Sequence, residues 1–215
     1  MRRSRSRLGL GLGLGLGLTG CFLHPDAPAS CPDDRIVVLA SQGDVRAFAT
    51  CTRARGVVIR TGATVDVSPL QLETISGDLV VGPTVGTEAI SLTELREVGG
   101  AISVAGNGSL HGLFLPRLER AGRIVVEGNV SLMSIALPRL EHLAGGLAVS
   151  DNHDLEVLDA NALVEVGGDL VIANQPELTV VELGSLRSVA AIRIERAPKL
   201  PAELADTLRT HAVVP

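Results

Sequence analysis

The sequence predicts a mainly β solenoid, and three observations carry that prediction. First, a short apolar strand recurs at Leu79-Val80-Val81, Ile102-Ser103-Val104, Ile124-Val125-Val126, Leu147-Ala148-Val149, Leu170-Val171-Ile172 and Ile192-Arg193-Ile194. Its first members lie 23, 22, 23, 23 and 22 residues apart, a period typical of stacked repeats. Second, other apolar positions recur at fixed offsets within each period. One repeat is too small to bury its own apolar face, so the units must share a continuous core. Third, the chain has 3 Phe and no Trp or Tyr, so its interior must be filled by Leu, Val, Ile and Ala in repeated layers. With 215 residues, 46% of them hydrophobic, there is material for one cored domain and little room for two.

At the N-terminus, Arg2, Arg3, Arg5 and Arg7 precede an apolar run from Leu8 to Leu18, followed by Thr19-Gly20-Cys21. This is the layout of a targeting segment, and the run is too short to span a bilayer. It resembles the bacterial lipoprotein signal. The resemblance implies that residues 1–20 are a signal peptide removed before Cys21, and that Cys21 is acylated and anchors the chain to a membrane. Two or more acyl chains hold firmly where one binds only marginally. An ordinary secretory signal with an incidental cysteine is the alternative. Removing residues 1–20 leaves 15 basic against 24 acidic side chains, a net charge of −9, a poor match for nucleic acid or bare anionic lipid. Phe22 follows the anchor in place of the aspartate that favours inner-membrane retention, so the expected location is the cell envelope, at the outer membrane where the host has one. Residues 21–30, with Pro25 and Pro28, read as a tether of at most about 30 Å.

Residues 31–55 are expected to form an N-terminal cap. Cys31 and Cys51 flank a strand pattern, Ile36 to Leu39, and a short helix opened by Ser41 as N-cap, with Val45, Phe48 and Ala49 on one side. In an exported chain the two cysteines pair by default; two free thiols are the alternative. The bridge would pin the helix over the open end of the stack.

Residues 56–199 supply the coils. Counted from the first strand residue, inward apolar residues are expected at zero and plus two, at plus eight (Leu110, Leu132, Leu155, Leu178, Leu200) and at plus eleven (Ile90, Leu113, Ile135, Leu158, Val181). Two more sets fall at plus sixteen (Leu95, Leu118, Leu140, Leu163, Leu186) and plus nineteen (Val98, Ala121, Leu143, Val166, Val189). Glycines precede the strands (Gly77, Gly100, Gly122, Gly146, Gly168), which reads as a sharp turn where positive φ is cheapest. Asn107, Asn129 and Asn152 align at plus five and are expected to stack as an amide ladder; Asn174 sits one place early and should distort its corner. Pro116 and Pro138 mark another corner within repeated Leu-Pro-Arg-Leu.

This pattern of Gly-x-Leu-x-Ile, Asn, Leu and Leu-Pro-x-Leu follows Asp44-Val45-x-x-Phe48-x-x-Cys51. Over residues 31–205 it resembles the receptor L domain, a relative of leucine-rich repeats. The resemblance implies a single-stranded right-handed β-helix with helical caps, and ligand binding without catalysis. The chain lacks that family's C-terminal cysteine pair, and residues 200–212 are the expected closing helix, with Pro201 in its first turn and Leu204 and Leu208 on one face.

The sharpest functional clue is the outward middle residue of each strand: Val58, Val80, Ser103, Val125, Ala148, Val171 and Arg193. At about 4.8 Å per rung they form a strip roughly 30 Å long, more apolar than a solvated face requires, and such a strip marks an interaction site. The bland alternatives are strand propensity of β-branched residues or cover by the chain's own tail. Phe114 is expected to point outward from the second sheet at plus twelve. Asp151, His153 and Asp154 are not expected to hold a metal, because alternate side chains diverge around Asn152. His24, His111, His142, His153 and His211 lack zinc-ligand spacing; there is no nucleophile elbow and no phosphate loop. No catalytic residue, cofactor or metal is therefore assigned. The expected function is a lipid-anchored binding module for an envelope ligand or protein, against the alternative of a structural or adhesive protein that self-associates through the strip.

Overall fold

The repeats wind into a β-solenoid of about seven turns. The computed structural model describes residues 31, 34–204 and 206. Cys21, the expected signal peptide and tether over 1–30, and most of the helix expected over 200–212 lie outside the described residues. Residues 202–204 and 206 are helical, and Leu204 packs against the core.

Eight strands form the long face: Ile36–Leu39 (β1), Gly56–Thr61, Leu79–Thr84, Glu97–Ala105, Arg120–Glu127, Leu147–Ser150, Glu165–Ala173 and Ser188–Glu195. Each runs parallel to the next. Three two-residue strands, Arg53–Ala54, Thr74–Ile75 and His142–Leu143, extend this sheet around a corner to 11 strands. A second, 5-stranded sheet stacks Ala89–Ser91, Gly112–Phe114, Ser134–Ala136, Val157–Asp159 and Val180–Glu182. The register is the one the period demands, with Ile124 opposite both Ile102 and Leu147. It also begins a coil earlier than residue 56, because β1 repeats the same alternation and pairs with Gly56 to Ile59.

The helix α1 (Gln42–Phe48) has Ser41 as its N-cap and buries Val45 and Phe48. The Ser41 hydroxyl donates to the Asp44 carboxylate at 2.8 Å and the Ala40 N–H donates to it at 3.1 Å. These bonds hold the Asp44 carboxyl below its ordinary range. Cys31 and Cys51 are joined in a disulfide with their Cα atoms 5.4 Å apart, and closing that loop contributes about 3 kcal/mol.

Inward residues at zero and plus two are buried from Leu79 to Ile172, as are those at plus eight, eleven, sixteen and nineteen. In the last rung Ile192 and Ile194 are only partly buried. Another inward position escaped the sequence pattern: Leu92, Leu115, Leu137, Ala160 and Leu183, at plus thirteen, are buried too. The Leu-Pro-Arg-Leu motif explains it. The Leu118 N–H donates to the Leu115 carbonyl at 3.2 Å and that of Leu140 to Leu137 at 3.0 Å. The motif is thus a β-turn with proline at its second position, and both leucines point inward.

The glycines before the strands serve another purpose than the one expected. None of the five has a positive φ; they are small because adjacent rungs press together there. A Cβ on Gly122 would lie 2.5 Å from the Gly100 carbonyl oxygen. The strand continues through this corner by a register shift, seen between Val98 and Ala101. Positive φ falls instead at plus four, at Gly106, Gly128, Asp151 (57°), Asn174 (53°) and Arg196 (52°). The later coils thus place side chains in a left-handed conformation that disfavours them by about 1 kcal/mol.

The amide ladder forms as expected and is fully buried. Asn129 Nδ2 donates to the Val104 carbonyl at 3.0 Å and to Asn152 Oδ1 at 3.0 Å. Its Oδ1 accepts from the Asn107 backbone N–H at 3.1 Å and from Asn107 Nδ2 at 2.8 Å. Thr84 ends the ladder, donating through N–H and hydroxyl to Asn107 Oδ1. At the other end Gln175, rather than Asn174, takes the ladder place. Asn174 moves to the left-handed position, donates to Asp151 at 2.7 Å and accepts from Arg196 at 2.8 Å. The extra methylene of Gln175 misplaces its amide: Nε2 donates to the Ala173 carbonyl, while Oε1 is buried without a hydrogen-bond partner among the described residues. Gln175→Asn is therefore expected to extend the ladder and stabilise the fold by about 1 kcal/mol, read as a higher urea midpoint at unchanged slope.

Candidate binding face

Register places the strip residues side by side. Val58 pairs with Val80, Val80 with Ser103, Ser103 with Val125, Val125 with Ala148, Ala148 with Val171 and Val171 with Arg193. Val38 adds a further rung opposite Val58. From Val58 to Val171 the strip is half-buried, and the shielding comes from its own neighbours on the rungs above and below. Val38, at the end of the sheet with a neighbour on one side, is 56% exposed.

The columns beside the strip are short or charged. Ala101, Arg123, Gly146 and Asp169 precede it, and Ala105, Glu127, Ser150 and Ala173 follow it. Arg193 closes the strip in an ion pair with Asp169 at 2.5 Å. Among the described residues the face is therefore an apolar stripe with a sparse charged border. At its N-terminal end Ile36, Val58 and Val80 line a dent of 270 Å³ between Arg55 and Asp78.

Further concavities lie at corners, among them one lined by Thr52, Gln71 and Glu94. Glu97, Arg120, His142 and Glu165 line a groove of 340 Å³ over Gly99, Gly122 and Gly167. This ladder of like-placed polar side chains was not singled out in the sequence, although its plus-eighteen spacing is regular. Arg120 pairs with Glu97 at 3.5 Å, and His142 Nδ1 lies 3.5 Å from the Glu165 carboxylate. Asp151, Asn174 and Arg196 border a shallow trough of 460 Å³ with His153, Pro176 and Pro198.

Phe114 points outward, 37% exposed, with its ring folded over Gly112. Asn152 is committed to the ladder, and His153 Nδ1 lies 2.6 Å from Asp154. Among the described residues there is no group of three or more metal-ligating side chains, and no helix is long and apolar enough to cross a membrane.

No protein-family model matches the chain, and no solved structure matches it. Among curated proteins, it is similar to Sporulation-specific protein 22 of Saccharomyces cerevisiae (strain ATCC 204508 / S288c), 38% identical over 52 residues. That stretch is 24% of this chain and 11% of the yeast protein. The chain thus spans about a tenth of the relative's length, little more than two coils' worth of sequence.

Proposed function

We propose that this chain is a non-catalytic recognition module of the receptor L-domain type, right-handed and capped by helices, exported and held at the cell envelope by a lipidated Cys21. The observation that carries the binding reading is the in-register column Val58, Val80, Ser103, Val125, Ala148 and Val171 on one flat sheet face. Apolar side chains are retained on an outward face over this length where something covers them. Small side chains leave the face flat, so an occupant contacts several rungs at once, and the acidic mature chain favours a protein or neutral envelope ligand over polyanions. Val125→Lys with Val171→Lys is expected to abolish capture of the partner that the wild-type chain retains from envelope extracts, with the circular dichroism spectrum unchanged. Capture of the same partner by both proteins removes the strip from the account. Mass spectrometry of the mature N-terminus is expected to show an acylated Cys21 as first residue, and an unmodified Cys21 removes the anchor.

A further inference from the structure

We propose that β1 is a docking edge for a second copy of this chain, two β1 strands pairing antiparallel about a two-fold axis to join two long sheets into one. Among the described residues the long sheet begins at β1, which is hydrogen-bonded to a strand on one side only. Its other side has no strand partner among the described residues and presents backbone groups that are a template for another strand. Natural sheets blunt such edges with charges, proline or a bulge. The β1 residues Ile36, Val37, Val38 and Leu39 carry none of these, and Ile36 and Val38 are 60% and 56% exposed. The strand at the opposite end is protected differently, bearing Arg193 and Glu195 with Arg193 paired to Asp169.

In the chain's own preceding segment, Pro25, Pro28 and Pro32 supply no backbone donor to a ladder. A second copy fits on charge and shape. With Val37 on the axis, Ile36 of each copy faces Val38 of the other, an apolar cross-strand pair made twice. Arg35 then faces Leu39 and Asp34 faces Ala40, so no like charges are opposed. The two-fold arrangement is closed and uses one surface on both copies.

Sedimentation equilibrium of the full-length chain in nonionic detergent tests this. The wild-type chain is expected as a dimer. Ile36→Lys with Val38→Lys opposes like charges and is expected to give the monomer mass; Ile36→Glu with Val38→Lys opposes unlike charges and is expected to restore the dimer. Both sites are exposed, so the circular dichroism spectrum stays that of the wild type. Val125→Lys with Val171→Lys lies away from the edge and is expected to remain dimeric, which separates this proposal from the strip's role in partner binding. A monomeric wild-type chain, a dimer indifferent to both β1 variants, or loss of the dimer in the strip variant overturns it.

Discussion

Asn129→Ala is expected to destabilise the protein by about 4 kcal/mol, a large share of the stability of an ordinary domain. The alanine removes an amide that accepts from the Asn107 backbone N–H at 3.1 Å and donates to the Val104 carbonyl at 3.0 Å. Both partners are left buried and unsatisfied, at about 1–3 kcal/mol each, and the space vacated by the amide adds a cavity term. The neighbours cannot compensate: Asn107 and Asn152 are themselves fully buried and committed along the ladder. Gln175→Ala provides the contrast. It deletes one donated bond, to the Ala173 carbonyl, together with an unpartnered oxygen, and is expected to cost about 1 kcal/mol. Urea unfolding at constant slope measures both, and equal losses would show that the ladder is not a cooperative unit.

Gly122→Ala is expected to be similarly damaging, at about 3 kcal/mol, although it adds a single methyl group. That methyl would sit 2.5 Å from the Gly100 oxygen, 2.7 Å from the Gly99 oxygen and 2.9 Å from the Gly100 carbonyl carbon. All three are backbone atoms of the preceding rung, so no side-chain rotation relieves the contact and two coils must separate. Gly108→Ala is the control. A Cβ there meets nothing within 4 Å, and its effect is expected to stay within about 0.5 kcal/mol. Thermal unfolding of the pair would refute the close-approach account if the two variants melted together.

The inward residues at zero, plus two, eight, eleven, sixteen and nineteen were legible in the sequence because burial imposes the same side-chain choice on every coil. Leu115 and Leu137 were hidden, because a leucine beside a turn proline reads as part of a corner. The corner itself faces the core once Leu118 and Leu140 close their turns. Gln175 was hidden for a related reason: identity as asparagine, rather than position, marked the ladder, and the glutamine occupies the place without completing its bonds. The strip was legible because alternation along a strand decides which face a residue takes. The sheet edge that β1 forms among the described residues was not, since the same four apolar residues read equally well as part of a cap.

Periodicity and composition sufficed to establish a stack of some two dozen residues per coil and the identity of most of its core, because burial repeats the same chemistry in every coil; the choice between a Cys31–Cys51 bridge and two free thiols was decided by the structure. Which corner bends at positive φ, why glycine precedes each strand and where the sheet ends all became visible only with the rungs in place. Those features depend on how closely one backbone approaches the next, a distance between residues more than twenty positions apart that no local pattern encodes.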